Sequence, residues 1–228
     1  MVTWNLFHGR AQPPRDEDLL GAFAEQLSGW SWDVALLQEV PPWWPDALAR
    51  ACGAQARFAL TSRNALLPLR RVVAQRLPEL LKASGGGCNA ILVRGLGGIA
   101  AHARRRLCVW PERRVVHAVS VRVVGGDDVW FANVHASTHP PRARRDLAQA
   151  HAAVLRWVGD APLVLGGDCN VTRVALPGLA HAGSSHVDHV LARGLLPAAP
   201  PEILERGTLS DHAPLLVTLD RSFALSRT

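Results

Sequence analysis

LVLGGDCN, residues 163–170, is the most informative segment of this 228-residue sequence. Its first three residues are apolar, as in a buried β-strand, and the two glycines that follow permit a tight turn. Asp168 and Asn170 then stand at alternate positions, so that in extended chain their side chains point in the same direction. The segment therefore predicts a buried strand that ends in a carboxylate and an amide with a common target.

Further strands and helices are predicted on both sides of this segment. Apolar runs typical of strands occupy residues 2–7, 33–38, 89–94, 115–124, 129–135, 162–166, 187–191 and 213–219. Residues 16–27, capped by Asp16, and residues 142–158 have the apolar spacing of amphipathic helices. A Gly-Gly-Asp-Asp turn at 125–128 predicts one antiparallel hairpin. Strands with interspersed helices and an antiparallel pair favour an α/β sandwich over a purely parallel sheet.

Length and composition indicate a single globular domain over residues 1–228. Apolar residues make up 48% of the chain and charged residues 19%, which is ordinary for a folded protein and excludes a disordered one. No apolar run approaches the roughly 18 residues that span a bilayer, and the first residues lack the features of a signal peptide. The four cysteines have no metal-binding or redox spacing. We therefore expect a monomeric cytoplasmic protein with reduced thiols and no transmembrane segment.

The basic charge of the chain comes almost entirely from arginine. Its 25 Lys and Arg residues outnumber 19 Asp and Glu residues, for a net charge of +6, and Lys82 is the single lysine. Guanidinium groups bind phosphate in a bidentate manner. Two clusters, Arg104–Arg106 and Arg142, Arg144 and Arg145, would suit the backbone of a nucleic acid, whereas solvated basic faces are the alternative.

Polar and titratable residues stand at the ends of the predicted strands. They are Asn5, Glu39, His135, Asp168, Asn170, Asp188, Asp211 and His212. Any one of them alone is typical of a solvated turn or of a structural histidine. Asp188, however, lies within an apolar alternation, where a carboxylate without a partner would cost free energy. The recurrence of such residues at strand ends favours a shared functional site.

Six short motifs carry these residues. They are T-W-N (3–5), L-Q-E-V (37–40), N-V-H (133–135), G-D-C-N (167–170), V-D-H (187–189) and S-D-H (210–212). In this order they resemble the endonuclease/exonuclease/phosphatase superfamily, which includes deoxyribonuclease I and sphingomyelinases. The resemblance implies a four-layer α/β sandwich, with two mixed β-sheets packed face to face and helices outside. It also implies metal-dependent hydrolysis of phosphate esters.

The chain departs from the superfamily's pattern in three ways. Cys169 replaces the usual aromatic residue of G-D-F-N, His189 stands where many relatives have tyrosine, and the chain contains no tyrosine at all. None of these departures removes a metal ligand or a proton acceptor. They do weaken the transfer of a substrate from any particular relative.

The resemblance and the residue types together imply a metal site. Glu39, with Asn5 and Asp211, would form an oxygen-only ligand set, which suits Mg²⁺ or Mn²⁺ and disfavours zinc. Such an ion polarises a phosphoryl oxygen and neutralises the charge that develops on the leaving oxygen.

Five of the residues form the predicted catalytic group: His135, Asp168, Asn170, Asp188 and His212. Asp188 would hold the His212 ring, and a neighbouring carboxylate tends to raise the pKa of a histidine. Asp168 would orient or deprotonate the attacking water, while His135 and Asn170 would stabilise charge on the phosphate oxygens. The proton acceptor is either Asp168 or His212, because coupled groups titrate as a set.

Two further residues, Asn89 and Arg113, are predicted to bind substrate. Asn89 follows a Gly-Gly-Gly run at the start of a strand, where relatives in the superfamily carry a G-N-A element near the phosphate. Arg113 lies close by in the basic run after Pro111. The alternatives are a turn residue and a surface charge.

Residues 66–82 combine apolar residues at helical spacing with arginines. This pattern predicts a helix packed on its own domain. Contact with a nucleic acid or a membrane surface is the alternative.

The predicted function is a Mg²⁺-dependent phosphodiesterase or nuclease, with a phosphate ester, and nucleic acid in particular, as partner. The alternatives are a phosphatase that acts on a small-molecule or lipid phosphate, and a non-catalytic binding protein on the same fold. The complete set of catalytic residues favours an enzyme, because a binding protein could lose any of them without a penalty to folding.

Overall fold

The computed structural model describes residues 1–61, 64, 66–76, 87–123 and 126–221, which form two stacked β-sheets with helices outside. The first sheet consists of β1 (Val2–Asn5), β2 (Val34–Val40), β3 (Gln55–Leu60), β4 (Cys88–Val93), β12 (Glu202–Ile203) and β13 (Leu215–Leu216). The second sheet consists of β5 (Ile99–Cys108), β6 (Arg114–Val121), β7 (Val129–His135), β8 (Leu163–Asp168), β9 (Ala180–Ser185) and β10 (Asp188–Arg193). A separate ribbon pairs β11 (Leu195–Pro197) with β14 (Leu219–Arg221). The helices are α1 (Leu20–Gly29), α2 (Pro45–Ala51), α3 (Leu67–Arg76) and α4 (Pro140–Val158), with a 3₁₀ turn at Phe7–Gly9.

Each large sheet has one parallel pair of strands near its centre. The strand orders are β12-β13-β1-β2-β4-β3 and β5-β6-β7-β8-β10-β9, in which β1 with β2 and β7 with β8 are parallel. The two parallel pairs face each other across the sandwich. The carboxyl ends of four strands therefore meet at one end of the molecule, which we call the site end.

Alternation of side chains along the strands divides the apolar core into three layers. In β2, Ala35 and Leu37 pack toward α1 and α2, while Val34 and Leu36 pack between the two sheets. The second sheet repeats this arrangement, with α4 on its outer face. Because successive side chains of a strand point to opposite faces, the central strands of both sheets are buried on both sides. The predicted four-layer α/β sandwich is confirmed.

A polar pair joins the two sheets directly beneath the site end. Gln38 Nε2 donates to Asn133 Oδ1 at 2.8 Å, and Asn133 Nδ2 donates to the carbonyl oxygens of Leu37 and Ala90 at 2.9 and 2.8 Å. These buried hydrogen bonds fix how the first sheet lies on the second, since any shift would leave polar groups without partners.

Gly167 is the residue of the G-D-C-N motif that no other amino acid can replace. Its φ is +132°, and a Cβ atom there would lie 2.0 Å from the carbonyl oxygen of Val134. The close approach of β7 and β8 at this point brings His135 directly beside Asp168 in register. The glycine therefore serves close strand packing at the site end.

Several elements differ from the sequence-based prediction. Helix α1 begins at Leu20 rather than near Asp16, and Asp18 Oδ1 accepts the backbone N–H of Leu20 at 3.0 Å. The run at 213–219 divides into β13 and the start of β14. Strands β3, β5 and β9 were not predicted, because they are edge strands whose residues are mostly exposed or half-buried and which gain their structure from pairing with a neighbour.

Other predictions fall partly outside the described residues. The hairpin turn at 125–128 is one, although the antiparallel pairing of β6 and β7 is confirmed. The segment 66–82 is another, and its described part contains α3. No helix in the described ranges is long and apolar enough to cross a membrane.

Candidate active site

The predicted catalytic and metal-binding residues gather at the site end. Asn5 and Glu39 stand at the ends of β1 and β2, and His135 and Asp168 at the ends of β7 and β8. Asp188 begins β10, which runs antiparallel to β8, and it is the register partner of Asp168. Asn5 and Asp188, which are 183 positions apart in sequence, are thus brought to one site by strand pairing within each sheet and by the packing of one sheet on the other.

Asp168 lies at the centre of this group and is almost completely buried. Its Oδ2 accepts a hydrogen bond from Asn5 Nδ2 at 3.0 Å, and its Oδ1 accepts one from the backbone N–H of Asn170 at 3.0 Å. His135 Nε2 lies 3.4 Å and His212 Nε2 3.8 Å from the same Oδ2 atom. Asp168 is therefore the one carboxylate that both histidines approach.

The pKa of Asp168 reflects opposing influences. Burial raises it, and the negative charge of Asp188 raises it further, while His212 and the hydrogen bonds from Asn5 and Asn170 act in the opposite direction. The net pKa is about 6. At neutral pH the carboxylate is mainly ionised and close to the point at which it accepts a proton.

Asp188 and His212 form a hydrogen-bonded pair. His212 Nδ1 lies 2.8 Å from Asp188 Oδ2, which leaves Nε2 directed toward Asp168. Burial disfavours the imidazolium, but the hydrogen bond to Asp188 and the charges of Asp188, Asp168 and Asp211 outweigh it and raise the pKa of His212 to about 9. His212 is therefore a cation at neutral pH.

The loop that carries His212 is anchored to the first strand. Ser210 Oγ donates to the carbonyl oxygen of Asn5 at 2.6 Å and accepts the backbone N–H of His212 at 3.1 Å. Trp4 Nε1 donates to the carbonyl oxygen of His212 at 2.9 Å. The serine of the S-D-H motif thus has a structural purpose, which is to hold the histidine over the end of β1.

His135 differs from His212 in its state of charge. Burial is the main influence that lowers the pKa of His135 well below its usual value, and the positive charges of Arg114, His8 and His212 add to it. Its Nε2 lies between Asp168 at 3.4 Å and Glu39 Oε1 at 3.8 Å. At neutral pH His135 is an uncharged ring between two carboxylates.

His8 also belongs to this group, and the sequence analysis missed it. Its Nε2 lies 3.1 Å from Glu39 Oε2, so that the two oxygens of Glu39 face two different histidines. Its position in the sequence could have indicated it, because His8 follows shortly after the end of β1 and the other site residues also stand at or near strand ends. The surface loop in which it lies gave no apolar pattern to mark it.

Residues in left-handed backbone conformations concentrate at the same place. His8, Glu39, Asn170 and Ser210 have φ angles of 55°, 50°, 50° and 61°. For residues other than glycine this conformation costs on the order of 1 kcal/mol or more, and it persists where surrounding contacts impose it. The sharp turns direct these side chains across the strand ends.

Three predicted residues lie at the margin of the group or outside it. Asp211 is exposed, and its charge helps to raise the pKa of His212. Asn89 is completely buried, and its Nδ2 donates to the carbonyl oxygen of Val115 at 3.1 Å, which links the two sheets. Arg113 is exposed, whereas the adjacent Arg114 is buried, pairs with Glu112 at 2.7 Å and acts on His135 through its charge.

The residues present fit a divalent cation. A carboxylate oxygen of Asp168, one of Asp188 and a ring nitrogen of His212 all lie within 4.8 Å of one another, and the two carboxylates are the available ligands of this cluster because His212 is protonated. Asp188 Oδ1 is buried and has no hydrogen-bond partner among the described residues. Glu39 adds a third carboxylate, and its side chain remains about one-fifth exposed. Clustered carboxylate oxygens of this kind suit Mg²⁺ or Mn²⁺.

Comparison with known proteins agrees with this geometry. Residues 2–212 match the sequence model of the Endonuclease/Exonuclease/phosphatase family. The fold is similar to that of an endonuclease/exonuclease/phosphatase from Beutenbergia cavernae, with 21% identity and a TM-score of 0.69 over 96% of this chain and 70% of that one. No curated protein sequence matches the chain significantly.

Two further solved structures share the fold at lower identity. A mannosyl-6-phosphatase from Bacteroides thetaiotaomicron has 13% identity and a TM-score of 0.70, over 96% of this chain and 99% of that one. TDP2 from Caenorhabditis elegans has 14% identity and a TM-score of 0.66, over 94% of this chain and 72% of that one. At these identities the likeness concerns the fold alone.

Proposed function

Because this chain belongs to the endonuclease/exonuclease/phosphatase family, whose members hydrolyse phosphate esters, we propose that it hydrolyses a phosphodiester bond with a divalent metal ion. The observation that carries the proposal is that two histidines lie close to the carboxylate of Asp168, of which His212 is protonated and His135 is uncharged. Asp168 supplies a proton acceptor, His212 a positive charge and His135 an uncharged ring that forms hydrogen bonds, and all three meet near Asp168 Oδ2.

Asp168 is the proposed proton acceptor. Hydrogen bonds from Asn5 and from the backbone of Asn170 hold its carboxylate in one orientation, so that it aligns a water molecule for attack on phosphorus. His212 is already protonated and held by Asp188, which makes it a poor base and a good donor to a non-bridging oxygen. These observations support Asp168, rather than His212, as the proton acceptor.

His135 and Asn170 complete the surroundings of the phosphate. His135 is uncharged and lies between two carboxylates, so it donates a hydrogen bond without adding charge of its own. Asn170 has its side-chain amide bonded to the carbonyl oxygen of Ala136 at 2.9 Å, which fixes its position beside the strand end. Both would stabilise negative charge that grows on the phosphate oxygens.

Glu39 is the proposed principal metal ligand, together with Asn5 at the end of the neighbouring strand β1 and with Asp211 of the exposed position before His212. When bound, Mg²⁺ or Mn²⁺ supplies positive charge that polarises a phosphoryl oxygen. Asn5 has a second purpose, because its amide nitrogen donates to Asp168 and its amide oxygen accepts the backbone N–H of Phe7 at 2.9 Å. It therefore couples the position of the proton acceptor to the metal-binding strand end.

Nucleic acid is the substrate that the arginines favour. Arg104–Arg106 are exposed on the edge strand β5, and Arg142, Arg144 and Arg145 are exposed on the first turns of α4, just beyond His135. Such groups would neutralise backbone phosphates, and affinity for an oligonucleotide would then fall steeply with salt. A flat salt dependence would favour a small-molecule or lipid phosphate instead.

The proposal is tested by hydrolysis assays on metal-stripped protein. DNA, RNA, bis-p-nitrophenyl phosphate, p-nitrophenyl phosphate and a phosphoinositide are offered with chelator, and then with Mg²⁺ or Mn²⁺ added. We expect diester cleavage that chelator abolishes and either metal restores, and that is absent from an Asp168→Asn variant purified in parallel. Undiminished activity in chelator, or cleavage of monoesters alone, would overturn it.

A further inference from the structure

The site end carries large apolar side chains that are exposed to solvent. On α3 and the residue before it, Leu66, Leu69 and Val72 are 72%, 61% and 45% exposed. On the connection between β5 and β6, Val109 and Trp110 are 61% and 76% exposed. We call these five residues the apolar rim.

The two parts of the rim lie on the same flank of the sandwich. Helix α3 follows the end of β3, where Leu60 pairs with Cys88, and Cys88 also pairs with Val40, which follows Glu39. The β5–β6 connection begins after Cys108, which pairs with Arg114. Strand β3 packs against β5 and β6 across the sandwich, so the rim borders the site from both sheets at once.

The described side chains on one side of α3 are exposed to solvent. The helix packed on its own domain stays a prediction, because part of the segment 66–82 lies outside the described residues. Leu66, Leu69 and Val72 are spaced by three residues and lie on one side of the helix. Exposed apolar groups of this size on one flank mark a contact surface.

Arginines accompany the apolar residues on both parts of the rim. Arg71 and Arg76 are exposed on α3. The guanidinium of Arg142 lies 5.5 Å from the ring centroid of Trp110. With a net charge of +6 for the whole chain, this surface combines leucine, tryptophan and cationic side chains, which is the composition of elements that lie in a membrane interface.

We propose that the apolar rim docks the protein on an anionic phospholipid surface. Leucine and tryptophan side chains enter the boundary between headgroups and acyl chains, while the arginines reach the headgroup phosphates. A bilayer also presents phosphodiester groups in the plane that the site faces. The idea that the site acts on these phosphodiester groups rests on the proposed function, whereas docking of the rim on the bilayer does not.

A nucleic acid is a poorer match for the rim. Duplex or single-stranded backbone would satisfy the arginines, but it offers little apolar surface for three aliphatic side chains of α3. A lipid surface satisfies both kinds of side chain together. The arginines away from the rim, on β5, remain available for either partner.

Vesicle sedimentation tests the proposal. The full chain is mixed with phosphatidylcholine vesicles, or with the same vesicles containing phosphatidylglycerol, and the bound fraction is measured at low and high salt. We expect binding to the anionic vesicles only, weakened by salt. A Leu69→Ser/Trp110→Ser variant should bind about tenfold or more weakly, because two large apolar groups no longer enter the interface.

A matched control removes apolar groups elsewhere. Leu196 and Ile203 are 55% and 59% exposed and lie on β11 and β12, away from the rim. A Leu196→Ser/Ile203→Ser variant should bind vesicles like the unmodified protein. Both variants should hydrolyse soluble bis-p-nitrophenyl phosphate at the unmodified rate, and Asp168→Asn should bind vesicles normally, so docking and catalysis are judged separately.

Three results would overturn the proposal. The first is no binding to anionic vesicles at low salt. The second is equal loss of binding in the rim variant and the control variant. The third is unchanged vesicle binding by the rim variant together with weakened oligonucleotide binding, which would assign the rim to nucleic acid.

Discussion

The two sheets each contribute one half of the site, and the halves differ although their geometry is the same. In the first sheet the parallel pair β1–β2 ends in Asn5 and Glu39, and in the second the parallel pair β7–β8 ends in His135 and Asp168. The carboxylate of Glu39 is about one-fifth exposed, whereas that of Asp168 is 3% exposed. Equivalent positions thus have different access to solvent.

The same strand-end geometry thus suits two chemical purposes. A carboxylate that takes up an ion from solution needs a side open to solvent, and the side chain of Glu39 is partly exposed. A carboxylate that accepts a proton benefits from burial, which raises its pKa toward neutrality, as at Asp168. Substitutions in each half should therefore have effects that differ in kind.

Asp168→Asn should have the largest effect on activity. Loss of the proton acceptor should lower kcat by about 10³-fold or more, and added metal should not restore it. The free energy of unfolding should not fall, because the substitution removes a buried charge that lies beside Asp188. Steady-state kinetics and urea unfolding measure both, and activity within tenfold of the unmodified protein would contradict the role.

Asp188→Asn and His212→Asn should each lower kcat by about 10²-fold. The 2.8 Å hydrogen bond between the two residues makes them one unit, so the double variant should be little worse than either single one. Kinetics of all three variants form the measurement. If the two losses multiply, Asp188 acts on the structure and not through His212.

Glu39→Gln should change the metal requirement more than the maximal rate. Removing one negative charge from the open half weakens cation binding by about tenfold, so a higher Mg²⁺ concentration should recover much of the activity. Isothermal titration of Mg²⁺ and Mn²⁺, with circular dichroism as the folding control, measures the change directly. An affinity for the ion equal to that of the unmodified protein would remove Glu39 from the ligand set.

The smallest expected effect concerns a buried histidine away from the site. Burial is the main cause that lowers the pKa of His117 to about 3, and its Nδ1 contacts His102 Nε2 at 3.2 Å. Because the unfolded chain binds a proton near pH 6.5 and the folded one does not, the stability of the protein falls as pH drops below 6.5. Between pH 7 and pH 5 this costs about 2 kcal/mol.

His117→Leu should remove that part of the pH dependence. Urea unfolding at pH 7 and at pH 5 gives the change in the free energy of unfolding for each protein. An equal change in the variant and the unmodified protein would show that His117 is not its source. The size of the change measures how much free energy it costs to place a positive charge inside the second sheet, which also buries Asp168.

The sequence was sufficient for the fold class and for the end of the fold where the site lies. β7 has the predicted bounds, and the residues of the G-D-C-N, V-D-H and S-D-H motifs meet because apolar strands place their terminal residues at one end. How deeply each of the polar residues is buried could not be predicted from the sequence. Asn89, expected near the phosphate, lies between the sheets, because its burial depends on how β4 lies over β6.

Features that depend on pairing or on loop conformation were also beyond the sequence. Strands β3 and β5 lack a continuous apolar run and are strands because a neighbour completes their hydrogen bonds. His8 reaches Glu39 through a left-handed turn that no local pattern indicates. The charge states of His135 and His212 depend on packing and on distances to carboxylates that only the folded chain provides.

The anchoring of His212 on the first strand has a consequence for protein synthesis. Trp4 and Asn5 are synthesised about 200 positions before Ser210 and His212, the residues that bond to them. A nascent chain that is still being translated contains Glu39 and Asp168 without their cationic partner. The group of residues at the site end is therefore completed only after residues 210–212 have been synthesised and have docked on β1.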